Sequence, residues 1–376
     1  MDLHEGELEP LSSRSRSMSA LPMIRDWRQQ VRDELLPDLH GHQANALADL
    51  SFAMALARHC HSGLLAAVAP GQTTPAATRR RLERTLANDR IDPDAAWPQL
   101  ARSVLGGWAG GPIVLILDET PNHNDLRCMK ITLAYRKRAL PIAGVCYALG
   151  GQPEPMPALV VGLLRQAAAC LPAGAQVTLL ADRGLAWPQV VDACTALGWH
   201  FVLRLQGQTR VRTADGRECS AAELAPRPGA HWWGDARVFK KSGWRAARVA
   251  ACWERDCEGP WLLVTDRPDG GRLFRRYATR TWTEELFRDE KSSGFHWGES
   301  RVRDPAHAGR LVLIIALATY LALGVGSRVI QAGLRRMLES TRKRMLSLFQ
   351  IGLRFLMFCV THDRPLPKDL SPVPPS

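Results

Sequence analysis

The sequence predicts a mixed α/β chain: a helical N-terminal block, a core with a mixed sheet, and a β-rich insertion interrupting that core. Three observations predict it. Apolar residues recur at helical spacing from about 24 to 104. The texture then changes to short runs of Val, Ile and Leu, typical of strands buried on both faces, alternating with helical stretches. Between about 207 and 270 the helical stretches stop and hairpin signals take over.

Residues 1–20 are rich in Ser, Arg and Glu and read as a disordered tail; polar and acidic, they do not resemble a signal peptide. Residues 21–107 read as an all-helical N-terminal domain. Its stretch TTPAATRRRLERTLAND opens with Thr74 before Pro75, a good helix start, and carries Arg79, Arg80, Arg81 and Arg84. GGWAGGP (106–112) is a glycine-rich joint. The first part of the core spans 108–206. PIVLILD (112–118) is a buried strand, and MKITLAYRKRALPIAGVCYAL (129–149) is a strand pair turning through the basic residues 136–138. A helix, the strand AQVTLLAD (175–182), a second helix and the strand WHFVLRLQ (199–206) follow. The insertion covers 207–271, where TRVRTADGREC places a D-G turn between alternating residues. The second part of the core, 272–330, holds a helix through 277–291 and an apolar helix over 307–326. Residues 331–376 read as basic amphipathic helices with a Pro-rich tail.

The run LVLIIALATYLALGVG (311–326) is bounded by Arg310 and Arg328. It falls short of the roughly 20 residues a membrane span needs, so it reads as a buried core helix with no membrane partner. The nine cysteines are scattered and odd in number, mostly within apolar runs. They form no disulfide framework and read as buried thiols, which points to a cytoplasmic protein. Cys252 and Cys257 lack a second pair for zinc, and His40/His42 and His59/His61 are pairs without partners. The net charge is +12 and the pI about 9.7, carried mainly by arginine. That surplus favours an acidic partner, most commonly nucleic acid.

Within YATRTWTEELFRDEKSSG, the residues Tyr277, Arg280, Glu284 and Lys291 stand at spacings of three, four and seven. On one helix they share a stripe about 60° wide. The stripe holds a hydroxyl, two cations and a single carboxylate where a core-facing stripe would be apolar. A solvated face with ion pairs is the ordinary meaning of such a pattern, and the helix alone does not separate the two readings. Two further acids bear on it. Asp118 ends the first buried strand and Asp182 the fourth. Each alone is a helix cap or turn residue, but acids at strand ends of an α/β sheet also sit at the site-forming edge. Three converging carboxylates are what two divalent metal ions need for phosphodiester displacement.

These residues resemble the DDE transposases of bacterial insertion sequences, in the insertion-sequence-four-like group. Tyr277, Arg280, Glu284 and Lys291 match that group's Y-x2-R-x3-E-x6-K signature at every spacing, and LDET and ADRG look like its two aspartate motifs. The resemblance runs from about 112 to 360. One departure is T-W-T between Arg280 and Glu284, where relatives often carry an aromatic residue and an isoleucine; Thr281 and Thr283 bear on packing, not chemistry. The resemblance implies a ribonuclease-H-like core in which Asp118, Asp182 and Glu284 are catalytic and bind two Mg2+ ions, with Mn2+ as substitute. It implies that Tyr277, Arg280 and Lys291 contact DNA; Arg183, Arg288 and the basic hairpin 136–138 are further candidate contacts. It implies cleavage at the element's ends, strand transfer into target DNA, terminal inverted repeats as partners, a homodimer on paired ends and a nucleoid-associated bacterial location. A nuclease or resolvase without joining, or a non-catalytic DNA-binding remnant, would share the fold. The Arg79–Arg84 helix is the candidate for repeat binding, against a simple solvated basic face.

Overall fold

The computed structural model describes residues 13–69, 74–108, 111–123, 125–268 and 270–374. In chain order, helices α1 (Ser13–Gln30), α2 (Gly41–Ala57), α3 (Ser62–Val68), α4 (Pro75–Leu86) and α5 (Pro93–Gly106) come first. Strands β1 (Pro112–Asn122), β2 (Leu126–Tyr135) and β3 (Arg138–Ala148) follow, then α6 (Met156–Ala168), β4 (Gln176–Ala181), α7 (Pro188–Ala196) and β5 (His200–Arg204). The insertion supplies β6 (Arg210–Thr213), β7 (Glu218–Ser220), β8 (His231–Val238), β9 (Arg245–Cys252) and β10 (Trp261–Thr265). Helices α8 (Gly270–Ala278), α9 (Thr281–Arg288), α10 (Pro305–Gln331) and α11 (Leu348–Thr361) complete the elements used below.

Two compact units result. One comprises Met1–Ile91, Asp289–Arg301 and Leu313–Val373; the other comprises Asp92–Arg288, Val302–Val312 and Pro374–Ser376. The linear division expected from sequence differs at its ends. Helix α5, expected with the N-terminal helices, packs against β3: a Cβ at Gly144 would meet the Trp97 indole at 3.1 Å, so glycine lets the ring lie on the strand. Residues 13–20, expected in a disordered tail, open α1; the rest of that tail lies outside the described residues.

The sheet unit is mixed, as expected. Its ten strands run in the order β3-β2-β1-β4-β5-β10-β9-β8-β6-β7. The pairs β1–β4 and β4–β5 are parallel, and the other pairings are antiparallel. The β2–β3 hairpin turns through Arg136 and Lys137 at φ 47° and 66°, the left-handed pair of a two-residue hairpin. The insertion does not build a sheet of its own. Its last strand, β10, pairs with β5 and carries β9, β8, β6 and β7 outward as a continuation of the core sheet.

In the helical unit, α10 and α11 cross with backbone against backbone. A Cβ on Gly352 would lie 1.8 Å from Ala322 O, and one on Gly326 2.2 Å from Leu348 O, so these positions tolerate only glycine. The apolar helix extends beyond 307–326 to Pro305–Gln331. It is long and apolar enough to cross a membrane, and its apolar window is 94% buried inside the protein. On α4, Thr78, Leu82 and Thr85 face inward while Arg79, Arg80 and Arg84 are exposed; Arg81 pairs with Asp49, which Arg28 also grips.

Candidate active site

Asp118 and Asp182 are neighbours by register. The parallel ladder between β1 and β4 runs to its last pair, Leu117↔Ala181, and the two aspartates are the next residue on each chain. Asp182 leaves β4 into a turn closed by Leu185 N–H on Asp182 O at 2.9 Å. Asp118 does not end its strand as expected: β1 continues to Asn122, held by β2 alone, with Asp118 opposite Lys130. What ends at Asp118 is the pairing with β4. Each carboxylate accepts the next backbone N–H, Glu119 N to Asp118 Oδ1 at 2.9 Å and Arg183 N to Asp182 Oδ1 at 2.7 Å.

The stretch 277–291 is not the single regular helix expected. Helix α8 ends at Ala278, and a tight turn leads into α9 through i→i+3 bonds: Arg280 N–H to Tyr277 O at 2.8 Å and Thr283 N–H to Arg280 O at 3.1 Å. Such bonds wind the chain more tightly than an α-helix. After Arg288 the helix opens into a π-turn, Asp289–Ser293, which winds less per residue. It closes at Gly294, where a Cβ would lie 2.3 Å from Asp289 O, and Phe295 N–H bonds back to that oxygen at 2.9 Å. The four-residue stripe therefore breaks at both ends. Tyr277 stands in the last turn of α8, Glu284 on α9, and Lys291 in the π-turn within the helical unit.

Helix α9 is seated over β1–β3. Thr283 is fully buried and accepts the Thr132 hydroxyl at 3.3 Å, Leu286 is buried, and Lys130 Nζ lies 5.7 Å from the Phe287 ring centre. Thr281 caps the turn by donating to Ala278 O at 2.8 Å, and Trp282 packs on the core. With α9 so placed, Arg280 bridges two carboxylates. Its Nη1 donates to Asp118 Oδ2 at 2.9 Å and its Nη2 to Glu284 Oε1. Tyr277 lies beneath, 2% exposed, edge-on to Trp261 at 5.3 Å and 6.0 Å from the guanidinium. Among the described residues its hydroxyl has no hydrogen-bond partner, and burial pushes its pKa up.

The electrostatics follow. Burial pushes the Asp118 carboxyl up to about 6; the Arg280 cation and the Glu119 N–H pull it down, and the charges on Asp182 and Glu284 raise it further. That mutual influence joins the three acids in one field. Asp118 is largely buried, whereas Glu284 is half exposed. Among the other predicted residues, Arg183 is exposed, and Arg288 is exposed and paired with Glu285 at 2.8 Å. Arg138 pairs with Glu285 at 3.3 Å, and Arg136 donates to Pro374 O at 3.3 Å.

The family model described as a transposase DDE domain matches residues 111–321, more than half of the chain. The chain belongs to the DDE transposase domain family. The family is one of DNA-acting transposases that in general use divalent metal ions for nuclease and transesterification chemistry. The donor set suits such ions. It is all oxygen, the charges on Asp182 and Glu284 add to burial in raising Asp118, and it already draws one cation between Asp118 and Glu284. Comparison with curated proteins finds no match. Among solved structures, the C-terminal lobe of a budding yeast Argonaute is similar at 11% identity with a TM-score of 0.22. That match covers 76% of this chain and 64% of the Argonaute chain, so under two thirds of the latter is spanned.

Two features escaped sequence reasoning. Tyr147 on β3 donates its phenol to Glu119, the residue after Asp118, and only the β-ladder register brings them together. In the helical unit, His59 does have partners: its Nε2 is 3.1 Å from Glu299 Oε2, and His296 Nδ1 is 3.1 Å from Glu299 Oε1. His59 Nδ1 accepts the His61 N–H at 2.9 Å, so the neutral ring carries its proton on Nε2 and offers no lone pair toward Glu299. That polarity is the reverse of what a metal-ligating histidine needs.

Proposed function

We propose that this chain is an insertion-sequence-four-like transposase with a ribonuclease-H-like core, in which Asp118, Asp182 and Glu284 are the catalytic, metal-binding carboxylates. The observation that carries the reading is the meeting of the strand edge and the helix: Asp118 and Asp182 follow the last pair of one parallel ladder, and Glu284 shares the Arg280 guanidinium with Asp118. Two Mg2+ ions, or Mn2+ in their place, would be held by those three residues and would supply activation of the attacking oxygen and stabilisation of the leaving one.

The chain's own residues set the geometry. The β1–β4 register holds Asp118 and Asp182 at one edge, and α9 brings Glu284 to them. Water attacks the phosphodiester at the element's end and releases a 3′-hydroxyl. That hydroxyl then attacks a phosphodiester of target DNA, forming one bond as the target's own 3′-oxygen leaves. Arg183, Arg288 and Lys291 are proposed to meet DNA phosphates, with Arg79, Arg80 and Arg84 on α4 as the candidate surface for terminal repeats. Tyr277 and Arg280 belong to the same signature, but Tyr277 is buried and Arg280 is engaged by carboxylates, so their contact with DNA requires Arg280 to turn outward. A homodimer on paired ends is part of the proposal.

The test is strand transfer with labelled end DNA, a target plasmid and Mg2+ or Mn2+, beside Glu284→Gln. Joined product that vanishes in the variant supports the proposal. Cutting without joining would make the chain a nuclease, and binding without either would make it a DNA-binding remnant.

A further inference from the structure

Arg280 is ion-paired with two of the three candidate catalytic carboxylates at once. One arm of its fork donates to Asp118 Oδ2 at 2.9 Å and the other to Glu284 Oε1. The second oxygen of Asp118 accepts the Glu119 N–H at 2.9 Å, so both oxygens of that carboxylate already have donors. The guanidinium is held from its own side as well. Its side chain is 12% exposed, the Tyr277 ring centre is 6.0 Å away, and the tight turn before α9 fixes its backbone through bonds to Tyr277 O and from Thr283 N–H. A planar fork on two carboxylates is a directional, charge-assisted arrangement rather than a loose surface pair.

We propose that Arg280 is an internal counter-cation that competes with divalent metal ions for Asp118 and Glu284. The proposal rests on the reading of Asp118, Asp182 and Glu284 as the metal-binding site. A hard divalent ion takes the same carboxylate oxygens that the fork occupies. A second cation within hydrogen-bonding reach of those oxygens repels the first. Metal loading therefore requires the fork to leave Asp118, Glu284 or both. Until then Arg280 keeps the Asp118 and Glu284 carboxylates together, acting as a positioning residue, and it lowers the affinity of the site for metal. Asp182 is outside the clasp: among the described residues its carboxylate accepts only the Arg183 backbone N–H and has no ion-pair partner, so it is the acid best placed to receive an ion first.

The experiment measures Mn2+ binding to the full chain without DNA, by the paramagnetic resonance of free Mn2+, at one pH and ionic strength. Arg280→Gln is expected to bind Mn2+ about tenfold more tightly than wild type, within the usual range of coupling between two linked ligands. Arg280→Lys, a point charge without the fork, is expected to bind about threefold more tightly. Asp118→Asn is expected to bind more weakly. Circular dichroism checks the fold, and Arg280→Lys decides if Arg280→Gln does not fold. Equal or weaker binding by the Arg280 variants, with Asp118→Asn still weakened, would overturn the counter-cation and leave the site reading intact. Unchanged binding in Asp118→Asn would remove the site reading and the counter-cation with it.

Discussion

The crossing of α10 and α11 and the carboxylate edge beyond β1 and β4 are both close approaches, of opposite kinds. At the crossing, backbone meets backbone, and Gly326 and Gly352 are there because nothing larger fits. At the edge, side chains of like charge meet around one guanidinium. The crossing gains dispersion contacts and apolar burial, which favour folding. The edge sets desolvation and like-charge repulsion against two ion-paired hydrogen bonds, a balance that contributes less to stability. The stability of variants should divide along the same line.

The largest effect is expected at the crossing. Gly352→Ala forces a methyl to within 1.8 Å of Ala322 O, so the helices must separate or the backbone must bend. The loss should be on the order of 3 kcal/mol or more, above the common range for overpacking because the obstacle is backbone. The midpoint of denaturant unfolding reads it, and an unchanged midpoint would mean the helices are not this close.

The edge should behave in the opposite way. The folded value of Asp118, about 6, lies above its unfolded value near 4. A carboxyl raised in this way binds its proton more tightly in the native protein. The native state is therefore favoured at acid pH, and that advantage is lost as pH rises from about 4 through about 6. With a chelator present, Asp118→Asn should gain on wild type across that window by roughly 2–3 kcal/mol, the size of the shift itself, which already contains the pull of Arg280. Paired unfolding curves at pH 4 and 7.5 give the difference, and an Asn variant that loses ground as pH rises would reverse the sign.

Much of the edge was legible in the sequence because its causes are local. An apolar run buried on both faces makes a strand, the first acid after it marks where the β1–β4 pairing ends, and two such strands put Asp118 and Asp182 level once they pair in parallel. The continuation of β1 to Asn122 was not legible, since it depends on β2 and not on anything in ETPN. Nor was the joining of β6–β10 to the core sheet, because a strand's sequence does not name its partner. The 277–291 segment shows the limit most clearly. Its spacing points to Glu284 and Arg280 as candidates, yet the tight turn at 279–280 is set by packing on the sheet and the π-turn at 289–293 closes at Gly294, so one helical stripe could not describe it.

Between these extremes lies the seat of α9. The hydroxyls of Thr132 and Thr283 meet at 3.3 Å with both residues fully buried, and Thr132 is also 3.5 Å from Ile116 O. Thr283→Val keeps the shape and removes one bond, so stability should fall by about 1 kcal/mol. The proposed strand transfer should fall with it, since α9 carries Glu284 to the edge. A loss of activity at unchanged stability would point to a role for the hydroxyl beyond seating the helix.

The smallest effect on stability is expected one helical turn beyond Glu284. Arg288 has a side chain 60% exposed and pairs with Glu285 at 2.8 Å. An exposed i,i+3 pair contributes little, so Arg288→Ala should cost under about 0.5 kcal/mol. Its proposed part lies in DNA binding, where each phosphate contact releases counterions. Affinity for end DNA and for unrelated duplex should then weaken together, and the slope of log affinity against log salt should shrink by about 1. Arg280→Gln is the contrasting variant, because its guanidinium is held by carboxylates in the free protein and must first let go of them. If Arg288→Ala leaves the salt slope unchanged, the exposed face of α9 is not against the phosphates, and the contact surface has to be sought among the exposed arginines of α4.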